Sequence, residues 1–336
     1  MKRIAAAAAL ALVAMMDGAG AEPLTLRVGW AQAPTQLTTV IDELMRRHKE
    51  MFAHVGQSYV LSPIRFQGST PQIQGLASGD LEIAEFAPPA LAIAVNNARL
   101  DLRIIADVMQ DGIPGHFGTY WVVRTDGPVR TIEDMRHRRA AVNALGTGID
   151  MLLHEAMRSH GVADGQYTVI EADFANMLPL IENDKVDTVP VMPQFSHDFE
   201  ATGHYRTLFT LAGVAGPSQV GFWVMRADFI AQHRPAIVDF LEDDMRAVRW
   251  IIDPAHHEDA LEIAMAVTKQ SRAALDYAFG PHDLYHSPDL KPDIPAVQKD
   301  IDQAVAMKLL PQRVVVAPRY VDLSLIADAK ARLDGP

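Results

Sequence analysis

The amino-acid sequence predicts an α/β fold in which mixed sheets are flanked by helices and arranged as two lobes of similar plan. Short apolar runs alternate along the chain with amphipathic segments, the pattern expected of a sheet covered by helices. In addition, the segments Leu81–Pro88 and Val186–Pro193 align: in each, a short helix and an acidic turn precede an apolar strand that ends at a proline. This similarity between two segments of one chain favours two related halves, although two such units can resemble each other by chance.

The individual elements follow from periodicity and from residues that begin or end helices. Apolar runs and two-residue alternation predict strands at Leu24–Trp30, Tyr59–Phe66, Leu81–Phe86, Leu102–Val108, Gly118–Arg124, Arg139–Asn143, Tyr167–Ala172, Val186–Val191, Arg206–Leu211 and Gln219–Met225. Helical periodicity and capping residues predict helices at Thr38–His54, Gln72–Ala77, Leu91–Asn97, Asp150–His160, Asn176–Glu182, Pro235–Ile252, Glu258–Thr268, Ser271–Ala278, Ile294–Met307 and Leu323–Leu333. Thr131 and Asp134 have the spacing of a capping box. The segment Gly280–Pro292 is irregular, and Val314–Ala317 is either strand or extended chain.

The stretch Arg65–Ala92 indicates a loop that holds a ligand. The chain leaves a strand at Gly68, and Ser69 or Thr70 can act as the N-cap of the next helix. Pro71 then occupies the first helical position, where its missing N–H costs nothing. A strand that leads into a capped helix leaves backbone N–H groups unpaired, so an acceptor on a small molecule can bind there. The simpler interpretation, that the hydroxyls only cap their helix, is equally open.

The first 21 residues have the features of an export signal. Lys2 and Arg3 form a positive start, and the apolar run Ile4–Met16 follows. Ala19–Ala21 then supplies a small-x-small cleavage site, which would leave a mature chain of Glu22–Pro336. The apolar run is too short for a membrane span, so no stable membrane insertion is expected. Because no cysteine is present to carry a lipid anchor, a soluble protein of the Gram-negative periplasm is the expected form.

Composition and motifs exclude several classes of function. The formal net charge of −12 argues against nucleic acid or anionic lipid as a partner. The absence of cysteine excludes disulfides, a thiol nucleophile and thiolate metal sites. Histidines group at His256–Glu258 and at His282 and His286, yet surface histidines are a better interpretation than a metal site. No P-loop, G-x-S-x-G elbow or paired-carboxylate signature is found, and neither a cofactor nor a metal is expected.

Five segments of the chain carry a family resemblance. They are LRVGWAQAP from Leu24, QIQGLASGDLEIAEFAPPALA from Gln72, TIEDMRHRRAAVNALGTGIDMLLHEAMRSHGV from Thr131, LIENDKVDTVPVMPQF from Leu180 and QVGFWVMRADFIAQHRPAIVDFL from Gln219. In this order they resemble the periplasmic solute-binding proteins of ABC importers, specifically the nitrate, sulfonate, taurine and thiamine-precursor group. The departures are Glu82, where Asp is commoner, and Arg138–Arg139, where a Gly-Lys pair is usual.

This resemblance implies a two-lobed type II periplasmic-binding-protein fold with a ligand cleft between the lobes. One lobe would comprise residues 22–112 and 217–336, and the other residues 113–216, with two extended crossings between them. Hinge closure would bury a small-molecule ligand and create the surface that an ABC permease recognises. The protein implied is a monomeric binding protein and not an enzyme.

In such a cleft, ligand contacts come from strand-end loops and helix starts. The residues expected there are Trp30, Gln36, Gly68, Ser69, Thr70, Ala87 and Pro88 from one lobe, Gly146, Thr147, Gly148, Met192 and Phe195 from the other, and Tyr120 and Gln219 near the crossings. Their aromatic, thioether, hydroxyl and amide groups carry little charge. This favours an organic solute with an apolar body and one or two acceptor groups, such as a sulfonate or an aromatic carboxylate. Trp30 and Phe195 could equally be core residues, and Gly146–Gly148 a tight turn.

Two other functions stay open at this point. The fold that the resemblance implies also includes pyrimidine-precursor synthases. Those enzymes are intracellular and use a histidine as substrate, so the predicted export signal argues against one here. The second alternative is a sensor module that presents its ligand to a membrane receptor. The sequence does not separate this role from import, and neighbouring permease and ATPase genes would.

Overall fold

The computed structural model describes residues 22–335. The export signal predicted over residues 1–21 lies outside this range, as does Pro336. Among the described residues, no helix combines the length and the apolar character needed to cross a membrane.

The strands lie where the sequence predicts them, with displaced ends. They are β1 Leu24–Trp30, β2 Tyr59–Arg65, β3 Ala84–Phe86, β4 Leu102–Asp111, β5 Tyr120–Arg124, β6 Arg139–Val142, β7 Thr168–Glu171, β8 Val189–Val191, β9 Tyr205–Thr210 and β10 Ser218–Arg226. The apolar runs from Leu81 and from Val186 each keep only their last three residues as strand. The segment Val314–Ala317 is extended chain and pairs in no strand.

The helices pack on both sides of these strands. They are α1 Thr38–Arg47, α2 Ser69–Ser78, α3 Pro88–Asn96, α4 Gly148–Ser159, α5 Met177–Glu182, α6 Pro193–Thr202, α7 Leu211–Ala215, α8 Ala227–Ile252, α9 His257–Thr268, α10 Ile294–Ala306 and α11 Ser324–Asp334. The 3₁₀ helix Ile132–Met135 follows Thr131, whose N–H donates to the Asp134 carboxylate at 2.9 Å, as the capping-box spacing predicts.

The helix predictions need correction. Helices α6 and α7 are not among them, and α6 begins at Pro193 directly after β8, where a proline at the first helical position is permitted. The helix predicted over Ser271–Ala278 holds only the 3₁₀ turn Ala273–Leu275, where N–H groups bond three residues back instead of four, as Leu275 N–H does to the Arg272 carbonyl at 3.0 Å. Helix α1 ends at Arg47 rather than His54. Helix α8 begins eight residues before Pro235 and kinks at His233, just ahead of that proline.

The strands form two separate groups that define the lobes. Parallel pair β1–β2 and the antiparallel sheet β3–β10–β4 belong to lobe I, and parallel pair β6–β7 and the antiparallel sheet β8–β5–β9 belong to lobe II. In lobe I a single parallel bridge between Val28 and Ile83 joins the pair to the sheet, and in lobe II the bridge between Ala140 and Thr188 does the same. The molecule is therefore a mixed α/β protein with two lobes of the same plan.

The two similar sequence segments, Leu81–Pro88 and Val186–Pro193, occupy equivalent positions in the two lobes. Strand β3 and strand β8 are the aligned segments, and Ile83 and Thr188, which form the two bridges, are aligned with each other. Each strand is followed by a helix whose first residue is a proline, Pro88 in α3 and Pro193 in α6. The two lobes thus present equivalent strand-to-helix turns.

The chain passes between the lobes twice, from β4 to β5 and from β9 through α7 to β10. The predicted boundaries at residues 112/113 and 216/217 fall in these crossings and stay predictions. The irregular segment Gly280–Pro292 packs behind the first crossing, where Phe117 N–H donates to the Asp283 carbonyl at 3.0 Å. Lobe II has its own apolar core, in which Trp121 is fully buried and stacks on Phe209 with ring centroids 4.7 Å apart.

Candidate functional site

A cavity of about 60 Å³ lies where lobe I meets lobe II. Hydrogen bonds between Gln67 and Asn143 and between Gln194 and Gln32 join the lobes beside it, so the lobes are closed on one another. The residues that line it are Ala31, Gln32, Gln36, Gly68, Ser69, Glu85, Ala87, Met109, Thr119, Asn143, Thr147, Gly148, Ile149, Leu152, Phe174, Met192, Leu211, Val220 and Leu284. Amides, hydroxyls and one carboxyl group thus share the wall with a larger apolar surface.

Four helix starts border this cavity, two from each lobe. Ser69 begins α2 and Ala87 precedes α3, whereas Gly148 begins α4 and Met192 precedes α6. The first N–H groups of a helix have no partner inside it, and the positive end of the helix dipole lies there. Prolines at the first two positions of α3 remove two donors from that helix, and the proline at the first position of α6 removes one. The cavity therefore favours a ligand with an acceptor or anionic group.

The two hydroxyls predicted to cap α2 do not do so. Gly68 is the N-cap residue, and no side chain accepts from the first turn. The Ser69 hydroxyl instead accepts a hydrogen bond from Ala87 N–H at 3.0 Å, which ties the start of α2 to the start of α3. The Thr70 hydroxyl is buried without a partner. Capping by a side chain occurs in lobe II, where Thr147 accepts from Asp150 N–H at 3.4 Å.

Glycines allow the lobes to approach closely. A Cβ atom at Gly68 would lie 2.7 Å from Asn143 Nδ2 and 2.9 Å from Thr147 Cγ2, both in lobe II. A Cβ atom at Gly148 would lie 3.1 Å from the Ala87 Cβ in lobe I. Because φ of Gly68 is 179°, an extended value open to any residue, space and not backbone strain requires glycine there.

Gly146 and Thr70 also meet across the lobe boundary. A Cβ atom at Gly146 would lie 3.2 Å from Thr70 Oγ1, and the glycine has φ of +72°, in the left-handed region that favours glycine. The helix starts that the sequence analysis singles out, Gly68–Thr70 and Gly146–Gly148, therefore face each other.

Buried hydrogen bonds join the lobes beside the cavity. Gln194 on α6 receives a hydrogen bond from Thr35 Oγ1 at 3.0 Å and donates to Gln32 Oε1 at 2.8 Å. All three side chains are at least nine-tenths buried. We call this group the Gln194 latch.

A second set of interlobe contacts lies at the end of strand β2. Gln67 Nε2 donates to the Asn143 carbonyl at 2.6 Å, and Asn143 Nδ2 donates back to the Gln67 carbonyl at 3.1 Å. Arg65 pairs with Asp173 at 2.5 Å near the surface. Arg65 therefore bridges the lobes outside the cavity, and its half-exposed side chain does not line it.

Glu85 on β3 is the titratable side chain that lines the cavity. Its exposure is 3 %, and burial raises the pKa of its carboxyl group to about 8. Asp111, at the end of β4, is also fully buried, and burial raises its pKa to about 6. Asp111 accepts from Thr119 N–H at 2.9 Å and does not line the cavity.

Half of the predicted contact residues line this cavity. They are Gln36, Gly68, Ser69, Ala87, Thr147, Gly148 and Met192. The others lie elsewhere: Trp30, Thr70, Pro88, Tyr120, Gly146, Phe195 and Gln219. Several helix-start residues are thus brought together, and none of the three predicted aromatic residues lines the cavity.

Packing explains where the remaining residues lie. Gln219 is fully buried and donates to Asp107 Oδ1 at 2.6 Å, which makes it a structural residue of β10. Tyr120 packs on Phe117, with ring centroids 5.7 Å apart, and Phe195 packs on the main apolar core. His286, expected at the surface, is buried, with Nδ1 2.8 Å from the Val108 carbonyl oxygen. Among residues 22–335 no group of His, Asp or Glu is arranged to hold a metal ion.

Sequence reasoning missed several cavity residues that come from other elements. Glu85 lies inside an apolar run that predicts a buried strand. Gln32 and Asn143 lie just after strands β1 and β6, in segments that carry no recognisable motif. One signal could have identified Glu85. It is flanked by apolar residues in Ile83–Phe86, and burying a carboxylate there costs free energy unless it is paired or hydrogen-bonded.

Comparison with known proteins places the chain in a family. The model of a family described as NMT1/THI5 like matches residues 64–256, more than half of the chain. The chain belongs to the NMT1/THI5-like family. The matched range includes α2, α3, α4 and α6, and so contains all four helix starts. No curated protein sequence matches this chain.

Solved structures share the fold of this family member at low sequence identity. The alkanesulfonate-binding protein SsuA from Xanthomonas axonopodis pv. citri, bound to MOPS, is 18% identical with a TM-score of 0.67, over 89% of this chain and 98% of that chain. The periplasmic nitrate-binding protein NrtA from Synechocystis PCC 6803 is 15% identical with a TM-score of 0.70, over 94% and 90%. The desulfurization enzyme DSZB is 12% identical with a TM-score of 0.63, over 92% and 99%. The two-lobed fold is therefore confirmed, and it occurs in binding proteins and in an enzyme.

Proposed function

We propose that this protein captures a small organic solute between its lobes in the periplasm and delivers it to the permease of an ABC importer. Hinge closure at the two crossings buries the solute. One observation carries the proposal: helix starts from both lobes meet around one cavity, and the buried Gln194 latch joins the lobes beside it. The names of the sulfonate-binding and nitrate-binding neighbours support it.

We further propose that the solute has an anionic or acceptor end, such as a sulfonate or a carboxylate. The N–H groups at helix starts bind such a group without a side-chain cation. The apolar part of the wall, which includes Met109, Ile149 and Leu152, suits an organic body better than an inorganic ion. The protein would act as a monomer, and the export signal predicted over residues 1–21 would direct it to the periplasm.

The test begins with a thermal-shift screen of sulfonates, aromatic carboxylates and pyrimidines, because a ligand that binds only the native state raises the melting temperature. Small-angle X-ray scattering then measures the radius of gyration with and without each hit. We expect the radius of gyration to fall when the solute closes the lobes. No change in shape with any saturating hit would contradict capture by closure.

The same samples distinguish capture from catalysis. A binding protein returns its solute chemically unchanged after long incubation, and mass spectrometry of the recovered solute shows this directly. Conversion of the solute would favour an enzyme, which this fold also supports in DSZB. Dependence of solute uptake in cells on both this protein and a permease would separate import from sensing.

A further inference from the structure

We propose that Glu85 selects solutes that carry a protonated amine, which binds against the Glu85 carboxylate while the anionic end of the solute occupies the helix starts. This inference rests on the proposed capture function and specifies its ligand. The solute is thus a small amphoteric molecule.

The Glu85 carboxyl group accepts a hydrogen bond from the Gln36 side chain and keeps further lone pairs for a donor on a ligand. Its backbone N–H donates to Gln72 Oε1 at 2.8 Å, and Trp223 is its partner on the adjacent strand β10. A Cβ atom at Gly221 would lie 2.8 Å from Glu85 Oε1, so glycine on β10 leaves room for the carboxyl group. This side chain lines the cavity although it is almost fully buried.

The other acceptors of the cavity are already engaged. Gln36 Oε1 receives the N–H groups of Ala31 and Gln32 at 2.6 and 2.9 Å. Asn143 Oδ1 accepts from Thr147 Oγ1 at 3.0 Å. Gln32 Oε1 accepts from Gln194 Nε2 at 2.8 Å. Glu85, which accepts from the Gln36 side chain, is the one acidic acceptor among these lining residues and can receive a further donor from the solute.

The charges of the cavity point to a cationic donor. Its lining residues, all within the described chain, include one carboxylic acid and neither Lys, Arg nor His. A buried carboxylate without a cation is costly, and a protonated amine on the solute would supply both the missing charge and the hydrogen bonds. On the neighbouring strand β4, Asp107 and Asp111 accept from Gln219 and Thr119, and neither of these acids lines the cavity.

The alternative role for Glu85 has the opposite pH dependence. Burial raises the pKa of Glu85 to about 8, so in the empty protein the group holds a proton at neutral pH. An amine displaces this proton, and affinity for it therefore rises as the pH increases toward about 8. If a neutral Glu85 instead donated its proton in a hydrogen bond to an anion, affinity would fall over the same range.

The experiment uses pairs of solutes that differ only in the amine. The pairs are β-alanine and propionate, aminopropanesulfonate and propanesulfonate, and aminomethylbenzoate and methylbenzoate. Titration calorimetry measures each with the mature protein between about pH 6 and pH 8. We expect at least one amine-bearing solute to bind about tenfold or more tightly than its partner, with affinity that rises with pH.

Two variants identify the residue responsible. Glu85→Gln keeps the size of the side chain, and we expect it to lose about tenfold to a hundredfold in affinity for the amine and to lose the pH dependence. Glu155→Gln is the matched control. Burial also raises the pKa of Glu155, to about 7, but this residue does not line the cavity, so the control should bind as the wild type does.

The inference is overturned if the amine-free solutes bind as tightly, if affinity falls with rising pH, if Glu85→Gln binds normally, or if no amine-bearing solute binds. These results do not by themselves contradict capture. An amine-free solute that binds and compacts the protein would leave the proposed function standing while removing the role of Glu85.

Discussion

Thr35 of lobe I and Gln194 of lobe II meet across the cleft, where the Thr35 hydroxyl donates to Gln194 Oε1 at 3.0 Å and both side chains are buried. Together with the bond from Gln194 to Gln32, this contact stabilises the closed arrangement relative to an open one. The closed form thus has its own polar contacts in addition to any that a solute would make. Because these contacts already favour the closed form, a solute needs less binding free energy to shift the balance from open to closed.

Replacement of Gln194 should therefore open the protein. Gln194→Ala removes two interlobe hydrogen bonds, each worth about 0.5–1.5 kcal/mol. We expect the balance between closed and open forms to shift by about 1–3 kcal/mol toward open, seen by small-angle scattering as a larger radius of gyration without ligand. Ser196→Ala is the control, because Ser196 bonds only within α6, to the Pro193 carbonyl. An unchanged scattering profile for Gln194→Ala would mean that the latch does not stabilise closure.

A side chain at Gly68 should prevent closure without unfolding the protein. In Gly68→Val the new Cβ would lie 2.7 Å from Asn143 Nδ2, whereas the extended backbone there accepts valine. We expect solute affinity to fall by at least about tenfold, with a change in unfolding free energy below about 1 kcal/mol. Gly280→Val is the matched control, since nothing lies within 4 Å of a Cβ at Gly280. Normal affinity in Gly68→Val would show that closure does not bring these residues together.

Thr147 should contribute to stability through its cap. Its hydroxyl accepts from Asp150 N–H, and its single proton is shared between the Ala144 carbonyl at 2.7 Å and Asn143 Oδ1 at 3.0 Å, which orders the start of α4. We expect Thr147→Ala to lower the free energy of unfolding by about 1 kcal/mol in denaturant melts, and Thr147→Ser to retain most of it. Equal losses in the two variants would assign the effect to the methyl group rather than to the hydroxyl.

The buried carboxyl group of Glu85 should lower the free energy of unfolding of the ligand-free protein at high pH. Because burial raises the pKa of Glu85 to about 8, the folded state binds a proton that the unfolded chain releases above its ordinary value of 4.5. Stability is greatest below that ordinary value and falls as the pH rises toward 8. We expect Glu85→Gln to be more stable than the wild type at pH 8 by about 1–3 kcal/mol.

Thermal melts at about pH 5 and pH 8 measure this difference. Asp111 and Asp283, whose pKa values burial raises to about 6, remain in both proteins and cancel in the comparison. Identical pH profiles for the wild type and Glu85→Gln would contradict the buried, protonated state of Glu85. A higher stability of the variant would also indicate that the acid is retained for binding.

Local patterns were sufficient for much of the fold and for part of the site. The strands follow from apolar runs, and the echo between Leu81–Pro88 and Val186–Pro193 reappears as equivalent turns in the two lobes. Gly68 and Thr147 were predicted at helix starts because glycine, proline and capping hydroxyls act on the neighbouring few residues. Such residues predict the structure of their own segment but not which other segments it will contact.

Tertiary structure alone decided which of these segments meet. Thr70 packs toward Gly146 instead of the cavity, and Glu85, in an apolar run, becomes a polar group of its wall. Gln194 reaches Thr35 only because α6 and the loop before α1 approach from different lobes. These relationships depend on how two lobes pack across distances that no local period or cap encodes. The sequence therefore determined the turns before α2 and α4, because glycine and capping residues act locally, and packing determined which residues of the two lobes meet to form the site.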